Sequence, residues 1–272
     1  MRTRYTYQCE TCLTIDQPKI VNVGECEIRL EGGGKENTIS RLDVTVPGGH
    51  ADNEVVAHEL SSFVANYLTA MHSDARFLIL REAERVEILD ASNDPSAPRT
   101  LSAGAGAFAS GIGPLDEAAV KPEVVDRFYE FREPLSAYIE GLDARSELDK
   151  FRNFYRVIEW MFDDGDRRSG SNAKERLKVS GLLEYITTLT RQAKRREHLV
   201  LSKLGPERSV EKIVDLSDQC SHLRNRRVSN FGYSTQDLQQ LRDVRNWIPS
   251  VQMIARSIIL DESKGSGESL PS

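Results

Sequence analysis

Cations, amides and a histidine crowd one short run, His222-Leu223-Arg224-Asn225-Arg226-Arg227-Val228-Ser229-Asn230. A guanidinium carries a rigid fork of donors that matches phosphate oxygens. An imidazole takes or gives a proton near pH 7, whereas an amide or a hydroxyl has no usable pKa there. The chemistry these types support is the holding of a phosphate by Arg224, with Arg226 and Arg227 beside it and Asn225 and Asn230 as hydrogen-bonding neighbours. His222, two residues before Arg224, is the proton carrier nearest the run. Arg191, Lys194, Arg195, Arg196, Lys203 and Arg208 precede it, enough positive charge to face a polyanion backbone. The same residues also read as a solvated helix face, and Arg224-Asn225 as a helix C-terminus, where cations suit the macrodipole and Asn commonly ends the turn.

Other chemistries are less well supplied. Cys9-x-x-Cys12, with Cys26 and either His50 or His58, would make a four-ligand zinc set. Yet Tyr5, Tyr7, Cys9, Leu13 and Ile15 fall on odd positions, as in a strand with one buried face. Such a strand points Cys9 and Cys12 to opposite sides, and Cys26 runs in phase with Ile28 and Leu30 as a small core residue. Both readings stand at this level, and the one adopted has no metal. Four cysteines are too few for a disulfide scaffold of this length and fit a reducing, cytoplasmic setting. His58-Glu59-Leu60-Ser61-Ser62 has Ser62 where a zinc protease needs its second His. Gly104-x-Gly106-x-x-Ala109 matches a dinucleotide fingerprint, but Pro95 and Pro98 upstream and Gly111, Gly113 and Pro114 downstream deny it the strand and helix it needs, so no cofactor is expected. No Gly-x-Ser-x-Gly elbow occurs.

These residues sit in a chain of 272 with 39% apolar and 29% charged residues, enough for one large or two ordinary cores. The net charge of −6 hides an asymmetry: residues 1–150 hold 15 Lys+Arg against 26 Asp+Glu, or −11, and residues 151–272 hold 21 against 16, or +5. The basic half is the candidate anion binder. No apolar run reaches the ~18 residues of a membrane span, and the N-terminus lacks the apolar block of a secretory signal.

Period-two patterning over Tyr5–Ile15, Cys26–Leu30 and Leu42–Val46 predicts strands with one wet face, joined near Gly32-Gly33-Gly34. Asp52 or Asn53 can cap a helix with a stripe of Val56, Leu60, Phe63, Val64, Tyr67, Leu68 and Met71. Phe77–Leu80 and Val86–Leu89 are expected to pair with each other across Arg81–Arg85. Residues 93–121 read as a linker. From 122 the period is helical. Val125, Phe128, Phe131, Leu135, Tyr138 and Leu142 form one stripe with a break or kink at Pro134, and Ser146 with Asp149 caps the next helix. A third helix carries Leu177, Leu182, Leu183, Ile186 and Leu189. A fourth, opening near Ser209, carries Val210, Ile213, Val214, Cys220 and Leu223. The last opens at Ser234-Thr235-Gln236-Asp237 and shows Leu238, Leu241, Ile248, Val251, Ala255 and Ile258, with Pro249 bending it. The fold class expected is α+β: a small N-terminal antiparallel strand-helix-strand domain over 1–92, an antiparallel all-α bundle over 122–262, and a polar tail from 263 to 272.

Arg-Asn at the end of the penultimate long helix, then a short polar linker and one more long helix, resembles the HEPN superfamily over residues 122–262. With the strand-rich region in front, the chain is similar to proteins grouped with the methylamine-utilisation protein MauJ and the ApeA-like HEPN antiviral proteins. The family signature is Arg, usually a polar residue next, then His with four to six residues between it and the Arg. The resemblance maps Arg224 and Asn225 onto its first two positions and puts Ser229 or Asn230 where the His belongs. Arg191 with His198 meets the bare spacing but lies too early for the family layout. In active members, paired protomers bring Arg and His into one cleft, where the RNA 2′-hydroxyl attacks the adjacent phosphate without a metal. The resemblance thus implies a cytoplasmic homodimer, joined through the helical domain, that binds RNA phosphate at Arg224, Arg226, Arg227, Arg195 and Arg196. Its endoribonuclease activity would be weak or lost. The other reading is a non-enzymatic dimeric assembly protein linked to methylamine utilisation.

Overall fold

A computed structural model describes residues 2–33, 37–48, 53–72, 77–79, 83, 85–89, 113–162, 181–192, 204–228 and 234–264. Backbone contacts divide the chain into two compact units, Met1–Arg132 with Glu262–Ser272, and Glu133–Asp261. The protein is α+β: an antiparallel sheet in the first unit and, among the described residues, helices alone in the second.

The sheet of unit 1 is built on β1 (Arg2–Thr11), β3 (Lys19–Val23), β4 (Cys26–Gly33) and β5 (Thr38–Pro47), in the order β3-β4-β5-β1. The short β2 (Leu13–Thr14) pairs with β5. Register explains the alternation in the sequence. Tyr5 opposes Val44 and Tyr7 opposes Leu42, while Ile28 and Leu30 meet the same two β5 residues from the other side, so one face is apolar throughout. The opposite face is charged: Arg29, Asp43 and Thr6 lie abreast, and so do Glu31, Arg41 and Gln8. Asp43, only 2% exposed, accepts the Thr6 hydroxyl at 2.8 Å and Arg41 Nη2 at 3.0 Å, so its burial is matched by partners.

β6 (Phe77–Ile79) and β7 (Arg85–Ile88) do not pair as a hairpin. Both run antiparallel to β1, β6 opposite Cys9–Thr11 and β7 opposite Thr3–Thr6. The two segments are thus separate partners of β1 and not the two arms of a hairpin. Between those registers β1 spends two residues, Tyr7 and Gln8, against five, 80–84, on the other chain segment.

Helix α1 (Asn53–Met71) covers the apolar face. Its buried surface is wider than the expected stripe, taking in Ala57, Ser61, Ala65, Thr69 and Ala70, while Val56 and Met71 are only half-buried. The reason is a second neighbour. Helix α2 (Pro122–Glu130) lays Phe128 5.5 Å from the Tyr67 ring and Tyr129 edge-on to Phe63 at 5.2 Å, so α1 is covered from two directions. The end of the segment read as linker is likewise folded: β8 (Gly113–Pro114) pairs in parallel with β2, and the Tyr67 hydroxyl donates to the Ala119 carbonyl of a 3₁₀ turn, Glu117–Val120, at 2.8 Å.

Unit 2 holds α3 (Arg132–Asp143, from its second residue), α4 (Glu147–Phe162), α5 (Leu182–Gln192), α6 (Pro206–Val228) and α7 (Thr235–Lys264, through Asp261). The break expected at Pro134 falls three residues earlier, at Phe131. Proline cannot donate to the carbonyl four residues back and collides with it, so the disruption is felt upstream, and Pro134 itself sits buried in the first turn of α3. α4 and α5 both pack on α6. Pairs Arg245–Glu147 (3.2 Å), Lys212–Asp243 (3.0 Å) and Tyr185–Asp261 (2.7 Å) tie α7 to α4, α6 and α5. α7 continues through Pro249, and its core side is Val244, Trp247, Val251, Ile254, Ala255, Ile258 and Ile259. Leu238, expected on that stripe, is 50% exposed. No helix of the described residues is long and apolar enough to cross a membrane.

Candidate anion site at the end of α6

Gly205, at φ +78°, turns the chain into α6, and Pro206 supplies a preset first residue, so the helix starts three residues before the Ser209 expected from sequence. Ser209 is instead buried and donates to the Gly205 carbonyl at 2.8 Å. Along the helix Val210, Ile213, Leu216, Cys220 and Leu223 are buried.

Arg224 belongs to this inward side. Val210, Ile213, Ser217, Cys220 and Arg224 step by three and four, one stripe along the helix. Val210, Ile213 and Cys220 are buried, Ser217 is half-buried, and Arg224, with Ser221 beside the stripe, is open to solvent. The solvated side of α6 lies elsewhere, at Glu207, Arg208, Asp215, Asp218 and His222. Arg224 is therefore not one of the charges on a wet helix face. It occupies a core-facing phase of the helix yet is open to solvent, beside the buried Leu223 and with the small hydroxyl residues Ser217 and Ser221 on the turns before it. Among the described residues no carboxylate forms an ion pair with its guanidinium.

His222 is exposed, but at ~100° per residue it lies about 160° round the helix from Arg224. It does not share the Arg224 side. Asn225 is exposed and, five whole turns after Glu207, lies on the solvated side with it, about 100° round from Arg224. The helix carries Arg226 and Arg227 through its last turn, where cations complement the C-terminal dipole. Their side chains, together with Arg195, Arg196, His198, Ser229 and Asn230, lie outside the described residues, as do His50 and Gly104–Ala109.

The stripe position of Arg224 and the serines Ser217 and Ser221 are the features that sequence reading passed over. The signal was present as spacing, since Arg224 is four residues after Cys220 and eleven after Ile213. It was hidden because the stripe changes from apolar to polar along its length.

Cys220 anchors the floor. Burial, and secondarily the charge of Asp149, push its thiol up to about 12, so it stays neutral at physiological pH. Asp149 lies in the first turn of α4, which packs on α6. In unit 1, Cys9 and Cys26 are buried with their thiols raised by desolvation, and Cys12 is half-buried. Among the described residues no three His, Cys, Asp or Glu side chains come together as metal ligands. The arrangement at the end of α6 is suited to holding an oxyanion; among the described residues it brings no imidazole to the same side. No protein-family model, curated protein or solved structure matches this chain.

Proposed function

We propose that unit 2 binds RNA through phosphate contacts centred on Arg224, with Asn225, Arg226 and Arg227 alongside and Arg195 and Arg196 adding charge. Metal-independent cleavage is weak or lost, because Ser229 and Asn230 stand where the HEPN-like spacing calls for a proton-carrying His. The observation that supports the reading is the placement of Arg224: a solvent-open guanidinium on the core-facing stripe of α6, with no ion-pair partner among the described residues. A solvent-open guanidinium with no ion pair to break can take a phosphate directly through its fork of donors. General acid–base catalysis is worth ~10²- to 10⁴-fold, so its loss leaves binding intact.

The test is incubation of the purified protein with mixed RNA and a chelator, beside Arg224→Ala, together with binding measured over a salt series. Wild type should retain RNA at low salt and release it as salt rises, and Arg224→Ala should bind more weakly. Equal binding by the two proteins would sink the proposal.

A second reading is a non-enzymatic assembly protein that dimerises through unit 2, linked to methylamine utilisation. It is favoured by the exposure of Trp160 (42%) on α4 and Leu238 (50%) on α7. Sedimentation of the wild type and of Leu238→Glu with Trp160→Glu separates it: a monomer in both cases removes it.

A further inference from the structure

The sheet of unit 1 ends on β3, which among the described residues pairs with β4 alone. The two strands are joined by the two-residue loop Gly24-Glu25, with Gly24 at φ +57° as its first residue, so Val23 and Cys26 form the hydrogen-bonded pair that closes the hairpin. In an antiparallel ladder bonded and non-bonded pairs alternate. Val21 and Lys19 therefore direct their backbone groups to β4, whereas Ile20 and Asn22 aim N–H and C=O at the free edge. α2 and the 3₁₀ turn also lie against β3, yet no backbone hydrogen bond from them or from any other described residue reaches Ile20 or Asn22. These groups stand at the spacing that one more strand would use.

The side chains beside that edge define what fits on it. Ile20 is 50% exposed on the charged face of the sheet, and Asn22, next on that face, is exposed as well. The cations of this corner are engaged. Lys19 meets Glu117 at 2.9 Å, and Arg29, opposite Ile20, holds Nε 2.9 Å from Glu31 Oε1, an ion-pair contact without hydrogen-bond alignment. The carboxylates of Asp16, Glu25 and Glu27 have no ion-pair partner among the described residues. Glu27 lies opposite Asn22, Glu25 is in the hairpin loop and Asp16 precedes the strand, so negative charge flanks the edge at both ends. A second copy of the same strand would set like charges together. A basic strand complements them.

We propose that the free edge of β3 takes up an extended basic peptide segment of a partner protein, paired antiparallel as β1, β3, β4 and β5 pair among themselves. A basic residue stands opposite Asn22 and an apolar one opposite Ile20, so the segment reads basic, any residue, apolar. Main-chain bonds supply the affinity and alternate side chains the selectivity. A Lys or Arg opposite Asn22 reaches across that short side chain to Glu27, one strand further in, while the apolar residue covers Ile20. Basic residues beyond them meet Glu25 and Asp16. The inference concerns unit 1 and stands apart from the phosphate reading of Arg224. An edge strand with a structural role alone is protected against added strands and predicts no preference for main-chain donors or for charge.

The probe is a fluorescent peptide blocked at both ends, Lys-Thr-Lys-Val-Ile-Thr-Lys, whose third and fifth residues fall opposite Asn22 and Ile20, with binding to the full chain read by anisotropy. N-methylation of the third and fifth residues removes the donors aimed at β3 and should weaken binding by about tenfold or more. N-methylation of the second and fourth, whose donors face away, should change it by less than about twofold. Exchange of every Lys for Glu should abolish binding, and Glu25→Lys with Glu27→Lys should reverse that preference. Ile20→Pro removes an N–H that β4 does not use, so the fold should tolerate it while affinity falls about fivefold. The methylated peptides carry the test on the wild type even where a variant misfolds. Equal binding by the two methylated peptides overturns the inference, because charge alone would then be at work, and so does failure of the unmodified peptide to bind. A wild type that sediments as a dimer and becomes a monomer in Ile20→Pro gives the edge to a second copy and overturns it as well.

Discussion

Cys220 and Arg224 stand one turn apart on the same stripe of α6, the thiol 4% exposed and the guanidinium open to solvent. Leu223 between them is still packed, so exposure on this stripe begins at Arg224 itself. A leucine at 224 would simply extend the apolar stripe, so Arg224→Leu should leave the thermal midpoint unchanged or raise it. RNA binding should fall by about tenfold, and the slope of log affinity against log salt should flatten by about 0.7 to 1. Arg224→Lys should keep most of that slope and lose affinity, because a point charge replaces a bidentate fork. A loss of stability in Arg224→Leu, measured by thermal and urea unfolding, would mark Arg224 as a structural residue instead.

Reinstating the proton carrier tests the catalytic half of the proposal. Under the proposed resemblance to HEPN proteins, the missing His belongs at 229 or 230, so Ser229→His and Asn230→His each supply it. One of the two should produce chelator-resistant cleavage of RNA, up to ~10²- to 10⁴-fold above the wild type. The rate should change around pH 6 to 7, roughly where an imidazole titrates. Cleavage that persists after Arg224→Ala is added would show the new His acting elsewhere.

The sheet of unit 1 was legible because its alternation is simple: Tyr5 and Tyr7 against Val44 and Leu42 is a period-two pattern with one answer. The pairing of β6 and β7 was not. A short polar insert looks like a hairpin turn in sequence, and only β1, some seventy residues away, reveals the two segments as parts of one edge. The wider burial of α1 was equally hidden, since it depends on Phe128 and Tyr129 arriving from α2. In unit 2 the capping signals at Ser146 and Ser234 read correctly, yet nothing local shows that Ser234 and Asp237 bond in both directions while Ser146 only accepts from Asp149 N. Leu238 misled because a leucine at the right spacing in the first turn of a helix need not have anything to pack against. Arg224 was recognised for its type, whereas its meaning lies in its phase on the helix.

Gly141 of α3 stands directly against the Phe154 ring of α4. A Cβ there would stand 2.6 Å from Phe154 Cε1 and 2.8 Å from Cδ1. Phe154 is 1% exposed and packs against Tyr138 at 5.5 Å, so its ring has no room to yield. Gly141→Ala ordinarily gains helix propensity, about 1 kcal/mol. Here overpacking of ~1–3 kcal/mol should outweigh it and lower the urea midpoint. Gly141→Ala with Phe154→Leu should recover part of the loss, and a stabilised single variant would contradict the packing.

Alkaline pH should weaken the fold before it ionises the folded core. Burial raises the Cys220 thiol from its ordinary 9.0 to about 12, and burial likewise raises Cys9, Cys26, Tyr7 and Tyr67. In the unfolded chain these groups shed protons near their ordinary values, while the folded protein keeps them. The unfolded state then binds fewer protons, and the linkage relation makes unfolding free energy fall as pH rises. The contribution of Cys220 is whole below pH 9 and drains away between pH 9.0 and about 12. Urea unfolding at stepped pH should show that decline, and Cys220→Ala should lessen its slope while lowering stability at pH 7 through the small cavity it leaves. Thiol labelling at pH 8 should proceed at the half-buried Cys12 and stall at the buried Cys9 and Cys220 until denaturant is added. Fast labelling of Cys220 in the native protein would mean that the floor beneath Arg224 is open, and the site as described would be wrong.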